Sequence, residues 1–363
     1  MHGYVPGLQL NDPEIVKLNT NENPFPISDA VRSAIRDALD DNRLHLYPEP
    51  RSTALRTALG EHYGVPADRA FIGNGSDEIL SILFRSLLEP GDSLVTAAPT
   101  YSLYPTLAQL LGAEVVGVPV REDWKMDLPA MQAAMRPAAN ETGRRPLTII
   151  TNPNAPTSML ESAEAVLDFA EQNPALTLVD EAYADFGDMS VAHLAGSDQY
   201  PRLMVCGTFS KTYSLAGGRI GWLLAHPRLI DELDKVRDSY NINRLTQVAA
   251  VAALADQPEL KRRIQIIKDT RAFTMERLAA LGFSTLPGQA NFIFTRPPAG
   301  FQKLRLPDGQ PAESLGQCCY EHLRAHKILV RFFPGPRTGD YVRITIGTRQ
   351  QMERLVQIVA ELV

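Results

Sequence analysis

The sequence predicts an α/β protein, with a mostly parallel central sheet in a large domain and a smaller α+β domain beside it. Three observations point there. Between Ala70 and Leu224, short apolar runs alternate with amphipathic stretches of helical length, the pattern of βαβ units. From Pro227 to about Ala280 the pattern is helical, and beyond it strands and helices mix. The chain has 363 residues, more than the roughly 250–300 at which a single core stops growing. The boundaries fall at 28–250 for the large domain. Residues 1–27 and 251–363 form an N-terminal arm and the small domain.

The elements follow in order. Residues 1–27, rich in Asn and Pro, form an arm or loop. Ser28 caps a helix through Leu39, and a second helix follows Pro50 and stops at Gly64. Strands are expected at Ala70–Ile72, Ser93–Ala97, Glu114–Val118, Leu147–Thr151, Leu176–Val179, Leu203–Gly207 and Ile220–Leu224. The helices between them cover Ser76–Leu88, Ser102–Leu111, Asp127–Met135 and Ser162–Glu171. The last third places strands at Phe292–Thr295, Ile328–Val330 and Val342–Ile346, and helices at Glu313–Ala325 and Gln350–Leu362.

Composition removes several classes of function. Net charge is −6 and no basic stripe occurs, so nucleic acid is not an expected partner. The cysteines, Cys206, Cys318 and Cys319, are odd in number and form no CxxC pair. They read as core thiols in a reducing, cytoplasmic setting, with neither a disulfide framework nor a metal site. No apolar run is long enough to span a bilayer, and the first residues lack the charged and apolar regions of a signal peptide.

Four clusters carry chemistry. In Phe209-Ser210-Lys211-Thr212-Tyr213, a lysine follows an apolar strand, with Arg219 eight residues later. Such a lysine forms an imine with an aldehyde cofactor when its pKa is lowered, while Thr208, Ser210 and Arg219 suit a phosphate. The plain alternative is a surface lysine in a Gly-rich loop. Asp180, in Val179-Asp180-Glu181-Ala182-Tyr183, ends a buried strand. An acid there keeps a pyridinium nitrogen protonated, with Tyr183 near the ring hydroxyl, or else it caps the next helix.

The turn Gly73-Asn74-Gly75-Ser76-Asp77 opens a helix whose free N–H groups make a phosphate site. Glu78 stands where a dinucleotide fingerprint needs its third glycine, which argues against a Rossmann reading. Tyr101 is placed to stack on a flat cofactor ring, or is a core aromatic. Finally Arg343, on a strand face with Tyr341 and Thr345, and Arg331, one strand earlier, each call for an anion or an ordinary salt bridge.

In this order, along nearly the whole chain, these pieces resemble the fold-type I, aspartate-aminotransferase-like family of pyridoxal-phosphate enzymes. The resemblance implies pyridoxal 5'-phosphate held as a Schiff base on Lys211, with Asp180 at the pyridine nitrogen. Phosphate contacts would come from Gly75, Ser76, Asp77, Thr208, Ser210 and Arg219, and Arg343 would be the substrate arginine. Within that family the chain is most similar to the histidinol-phosphate aminotransferases. Tyr4-Val5-Pro6-Gly7, Asn19-Thr20-Asn21-Glu22-Asn23-Pro24, Leu46-Tyr47-Pro48-Glu49-Pro50, Ser239-Tyr240-Asn241-Ile242-Asn243 and Arg343-Ile344-Thr345-Ile346-Gly347-Thr348 carry that likeness. By it, Tyr47 reaches the cofactor phosphate of a second subunit in a homodimer, and Tyr4, Asn23, Arg331 and Arg343 surround the substrate and its phosphate.

One segment departs from the family. Asn-Pro-x-Asn-Pro-Thr-Gly here reads Asn152-Pro153-Asn154-Ala155-Pro156-Thr157-Ser158. The asparagine that binds the ring hydroxyl is lost at Ala155, so either Asn154 shifts in or Tyr183 carries the contact. The missing bond costs about 0.5–1.5 kcal/mol.

The implied reaction is ping-pong transfer of an amino group from histidinol phosphate to a 2-oxo acid such as 2-oxoglutarate, with Lys211 as the base. Alternatives within the fold are an aromatic or broad-specificity aminotransferase and a threonine-phosphate decarboxylase. A silent cofactor-binding regulator would need a further DNA-binding domain, for which we expect no room between residue 1 and Val363.

Overall fold

The computed structural model describes residues 7–10, 12–135 and 147–363; Tyr4 lies outside them. The chain divides into two compact units. One is built from Ile27–Ala155 and Leu160–Lys261, the other from Val5–Pro26, Pro156–Met159 and Arg262–Val363.

In chain order, β1 (Val16–Lys17) is a two-residue strand within the stretch expected to be loop. α1 (Asp29–Asp40) begins at the predicted cap, where Ser28 Oγ accepts the Val31 N–H. α2 (Thr53–Tyr63) ends at Gly64 with φ 69°. There follow β2 (Ala70–Gly73), α3 (Ser76–Leu87), β3 (Ser93–Ala98), α4 (Leu103–Leu110), β4 (Glu114–Pro119) and α5 (Leu128–Ala134). β5 (Leu147–Thr151), α6 (Ala163–Gln172), β6 (Thr177–Asp180), β7 (Leu203–Thr208) and β8 (Gly221–Leu224) complete the alternation.

The expected helical stretch from Pro227 to Ala280 is three helices, α7 (Pro227–Val236), α8 (Arg244–Ala255) and α9 (Gln257–Ala280). The first break has a local cause. Arg237 Nη1 donates to the carbonyls of Asp238 and Ser239, and Asn243 Oδ1 accepts the Thr246 N–H, which starts a new helix.

Seven strands form the sheet of the first unit in the order β2-β8-β7-β6-β5-β3-β4. All neighbours are parallel except those of β8, which runs against both β7 and β2. β5, β6 and β7 are buried residue by residue, as strands covered on both faces must be. Phe71, Leu83, Ile149, Leu178 and Leu223 belong to the core around them. The carboxyl ends of β2, β3, β5, β6 and β7 share one edge of the sheet, where ligands collect in such folds.

In the second unit, β10 (Phe292–Arg296) pairs with β9 (Ser284–Thr285) and with β13 (Val342–Thr345). The strand expected at Ile328–Val330 ends at Leu329, and a second short strand follows it. β11 (Ile328–Leu329) pairs in parallel with β1, whereas β12 (Arg331–Phe332) pairs with β13. α10 (Leu315–Ala325) is capped by Ser314, and α11 (Arg349–Leu362) opens with a Thr348–Gln351 capping box. Among the described residues, no helix is long and apolar enough to cross a membrane. The thiols of Cys206, Cys318 and Cys319 are free and buried.

Candidate active site

The turn at Gly75 is built by close approach. Gly73, Gly221 and Thr208 lie in one row across β2, β8 and β7. A Cβ on Gly221 would stand 2.4 Å from the Ser76 nitrogen, so only glycine lets β8 pass the start of α3. Gly75 has φ 81°, and a Cβ there would meet Arg219 Nη2 at 2.5 Å. The guanidinium therefore lies over the turn, beside N–H groups at the helix start that have no intrahelical acceptor.

Arg219 Nη2 donates to Asp77 Oδ2 at 3.0 Å, and the Tyr101 hydroxyl donates to Asp77 Oδ1 at 3.2 Å. With its carboxylate so engaged, Asp77 offers an anion its backbone N–H. Thr208 Oγ1 donates to Ser210 Oγ at 2.9 Å, which places two hydroxyls at the end of β7. Gly75, Asp77, Tyr101 and Arg219 are thus brought together.

Asp180 ends β6 and is 4% exposed. Its Oδ2 accepts the Tyr104 hydroxyl at 2.6 Å and its Oδ1 accepts the Ala182 N–H at 3.0 Å. Burial pushes this carboxyl above the usual range, against the pull of those two bonds and of the Lys211 charge. Burial, then the neighbouring carboxylate, pushes the Tyr104 phenol well above its ordinary value, so the shared proton stays on the phenol. Lys211, three residues past the end of β7, and Tyr183, three past the end of β6, are both half-buried.

The segment that departs from the family is firmly held. Asn152 exchanges two hydrogen bonds with the Glu161 backbone, at 3.1 and 2.9 Å. Asn154 Nδ2 donates to the Pro99 carbonyl at 3.0 Å, so that amide nitrogen is committed to the backbone, and Ala155 is buried. Ser158 keeps the left-handed conformation expected of glycine, with φ 65°. Its Oγ accepts the Ala290 N–H at 2.7 Å, a bond glycine would lack and one that offsets the strain.

Asn23, Arg331 and Arg343 belong to the second unit. Arg343 lies 5.2 Å from the ring centroids of both Phe292 and Phe333, and its Nη2 donates to the Asn19 carbonyl. Arg331 faces it across the β12–β13 pair and lies 5.7 Å from the Phe333 ring. Asn23 Oδ1 accepts the Phe25 N–H, closing a turn. In the first unit Tyr47 is 76% exposed and stacks on Tyr240 with ring centroids 4.3 Å apart.

Sequence reasoning missed two participants. Tyr104 carries the acid that ends β6, and its signal was available: it sits one helical turn after Tyr101, and a buried tyrosine needs a partner for its hydroxyl. Glu181, buried next to Asp180, accepts the Ser190 hydroxyl at 2.5 Å and the Val191 N–H at 2.7 Å, and burial raises its carboxyl to about 8.

The family described as aminotransferase class I and II matches residues 13–359. A histidinol-phosphate aminotransferase of Geotalea daltonii is 38% identical over 100% of this chain and 97% of its own. Another, from Synechocystis, is 37% identical over 99% and 95%. Among solved structures, histidinol-phosphate aminotransferase from Sinorhizobium meliloti, in complex with pyridoxal-5'-phosphate, superposes with a TM-score of 0.84. It has 27% identity and covers 96% of this chain and 90% of that one. Aspartate aminotransferase from Thermus thermophilus shares the fold at a TM-score of 0.79 and 20% identity, over 96% and 92% of the two chains.

Proposed function

This chain belongs to the class I and II aminotransferase family, and from that premise we propose that it moves the amino group of L-histidinol phosphate to 2-oxoglutarate, giving imidazole acetol phosphate and L-glutamate, a step of histidine biosynthesis. Pyridoxal 5'-phosphate is the cofactor. The observation that carries the reading is Asp180, an acid held at a buried strand end within electrostatic reach of Lys211.

The residues present fit that group. Arg219 over the Gly75 turn, the N–H groups opening α3 and the hydroxyls of Thr208 and Ser210 suit a phosphate. When bound, the cofactor supplies an electrophilic carbonyl and an electron-accepting ring. Lys211 would hold it through Nζ and would act as the base that takes the proton from the substrate Cα. Asp180 holds the positive charge of the ring nitrogen. The Tyr101 ring would cover one face, and the Tyr183 hydroxyl would serve the ring hydroxyl by itself, since Asn154 Nδ2 is taken by the Pro99 carbonyl. Arg331 and Arg343, with Asn23 and Tyr4, would lie around the substrate and its phosphate. The relatives' shared name and the facing arginines support that substrate.

The reading extends to a homodimer. An exposed aromatic stack, Tyr47 on Tyr240, with exposed Leu44, Leu46 and Val236 elsewhere on the same unit, suits burial by a second copy, whose site Tyr47 would complete. Three buried free thiols suit the cytoplasm.

The test is product analysis of the cofactor-loaded protein. L-Histidinol phosphate should yield one glutamate per amine consumed and no multiple turnover without 2-oxoglutarate. Release of carbon dioxide from L-threonine phosphate without 2-oxoglutarate would move the protein to the decarboxylases instead.

A further inference from the structure

We infer that Tyr104 is a positioning residue that keeps the proton shared between Asp180 and the cofactor's ring nitrogen on the nitrogen, at the end of a one-way hydroxyl relay from Thr100 through Thr151. The inference rests on the proposed pairing of Asp180 with that nitrogen.

The direction of the relay follows from proton counting, since each hydroxyl has one proton to donate. Tyr104 gives its proton to Asp180 Oδ2 at 2.6 Å, so it can only accept from Thr151 Oγ1, which lies 3.1 Å away. Thr151 has then spent its proton, and its 3.1 Å contact with Thr100 Oγ1 must be donated by Thr100. All three hydroxyls therefore point toward one carboxylate. Thr151 and Asp180 end the adjacent strands β5 and β6, and Thr100 lies just past β3, so the relay crosses three parallel strands at their carboxyl edge. Tyr104 is fully buried and Thr151 nearly so, and water does not take over either bond cheaply.

The consequence is electrostatic. A buried carboxylate without donors becomes more basic, and in a hydrogen bond to a pyridine the proton resides on the more basic partner. The Tyr104 bond, at 2.6 Å, has the length of an O–H bond to a charged acceptor and spreads the negative charge. It offsets part of the rise that burial imposes on Asp180, and the Ala182 N–H adds to it. Losing the phenol would move the proton to the carboxylate and leave the ring a poorer electron acceptor. The alternative is that Tyr104 only fills space beside Tyr101, whose ring it meets edge-on at 5.4 Å, and Tyr104→Phe preserves that packing.

The experiment loads wild type, Tyr104→Phe and Thr151→Val with pyridoxal phosphate carrying 15N in the ring, and records the nitrogen resonance. Titration of each apoprotein with cofactor gives the affinity. We expect a protonated nitrogen in wild type, a displacement toward the neutral position in Tyr104→Phe, and a smaller one in the same sense in Thr151→Val. The spectra are compared at saturating cofactor, so that the resonance reports the bound nitrogen in each variant. A wild-type resonance in Tyr104→Phe overturns the inference; should that variant not fold, an unchanged resonance in Thr151→Val does so. A neutral nitrogen already in wild type overturns the reading of Asp180 itself.

Discussion

Arg331 and Arg343 stand directly opposite one another on the antiparallel strands β12 and β13, so two guanidinium groups share one face of a small sheet. Like charges so placed cost a sheet a few tenths to about 1 kcal/mol, a cost an anion between them removes. Inorganic phosphate should therefore raise the melting temperature of the cofactor-loaded protein, and the rise should vanish in Arg343→Gln. The same variant should raise KM for a phosphorylated amine about 10–100-fold, with a smaller change in kcat, as for a lost charge-assisted hydrogen bond. Equal KM in variant and wild type would remove Arg343 from the substrate.

Lys211 is expected to be indispensable. Lys211→Ala loses both the cofactor anchor and the base, and the base alone is worth about 10²–10⁴-fold. Steady-state transamination should fall by at least that factor, while apoprotein folding, followed by circular dichroism, stays as in wild type. Turnover at the wild-type rate would refute the mechanism.

Glu181 sets a pH dependence. Burial lifts its carboxyl from 4.5 to about 8 despite the bonds from Ser190 and Val191. Between those values the folded protein keeps a proton that the unfolded chain has released. The stability so gained is full below the lower value and is lost as pH rises through the upper one. Glu181→Gln carries an amide in place of the protonated acid and escapes this loss. The melting temperature of the variant minus that of wild type should therefore grow from pH 5 to pH 9; a constant difference would contradict it.

Asp234 anchors α7 to α2. Its carboxylate takes Arg56 Nη2 at 2.6 Å, Arg237 Nε at 2.8 Å and Arg51 Nη2 at 3.1 Å. Burial would raise its pKa, but the bonds from Arg56 and Arg237 hold it below the usual carboxylate range, so this contribution fades only in acid. The side chains of Arg56 and Arg237 are buried and that of Arg51 is 57% exposed. Asp234→Ala should cost about 3–5 kcal/mol in urea unfolding, by leaving two buried charges uncompensated. Arg51→Ala should cost less than about 1 kcal/mol. Similar costs would show that burial does not set the difference.

The central sheet was legible because β5, β6 and β7 are mainly apolar and each closes on a polar residue: Thr151, Asp180 and Thr208. The turn at Gly75 and the lysine after β7 announce themselves by residue type and spacing. Contacts between residues distant in the chain do not. The bond from Tyr104 to Asp180 spans 76 residues, and nothing local names Asp180 as the partner of that hydroxyl. β1 escaped notice because two residues are too short for a period, and it exists only by pairing with β11. The break before α8 was legible in Asn243, a cap residue hidden inside an apparently continuous helical pattern. Ser158 shows the limit of motif reading, since its loss of glycine is offset by a bond to Ala290, 132 residues away.

The most direct test follows the near-visible absorbance of the cofactor-loaded protein as single amines are added without 2-oxoglutarate. L-Histidinol phosphate should bleach it within one half-reaction, L-phenylalanine and L-threonine phosphate should not, and 2-oxoglutarate should restore it. Bleaching by phenylalanine equally well would keep the fold and the amino transfer but contradict the proposed substrate; no bleaching by any amine would contradict amino transfer itself.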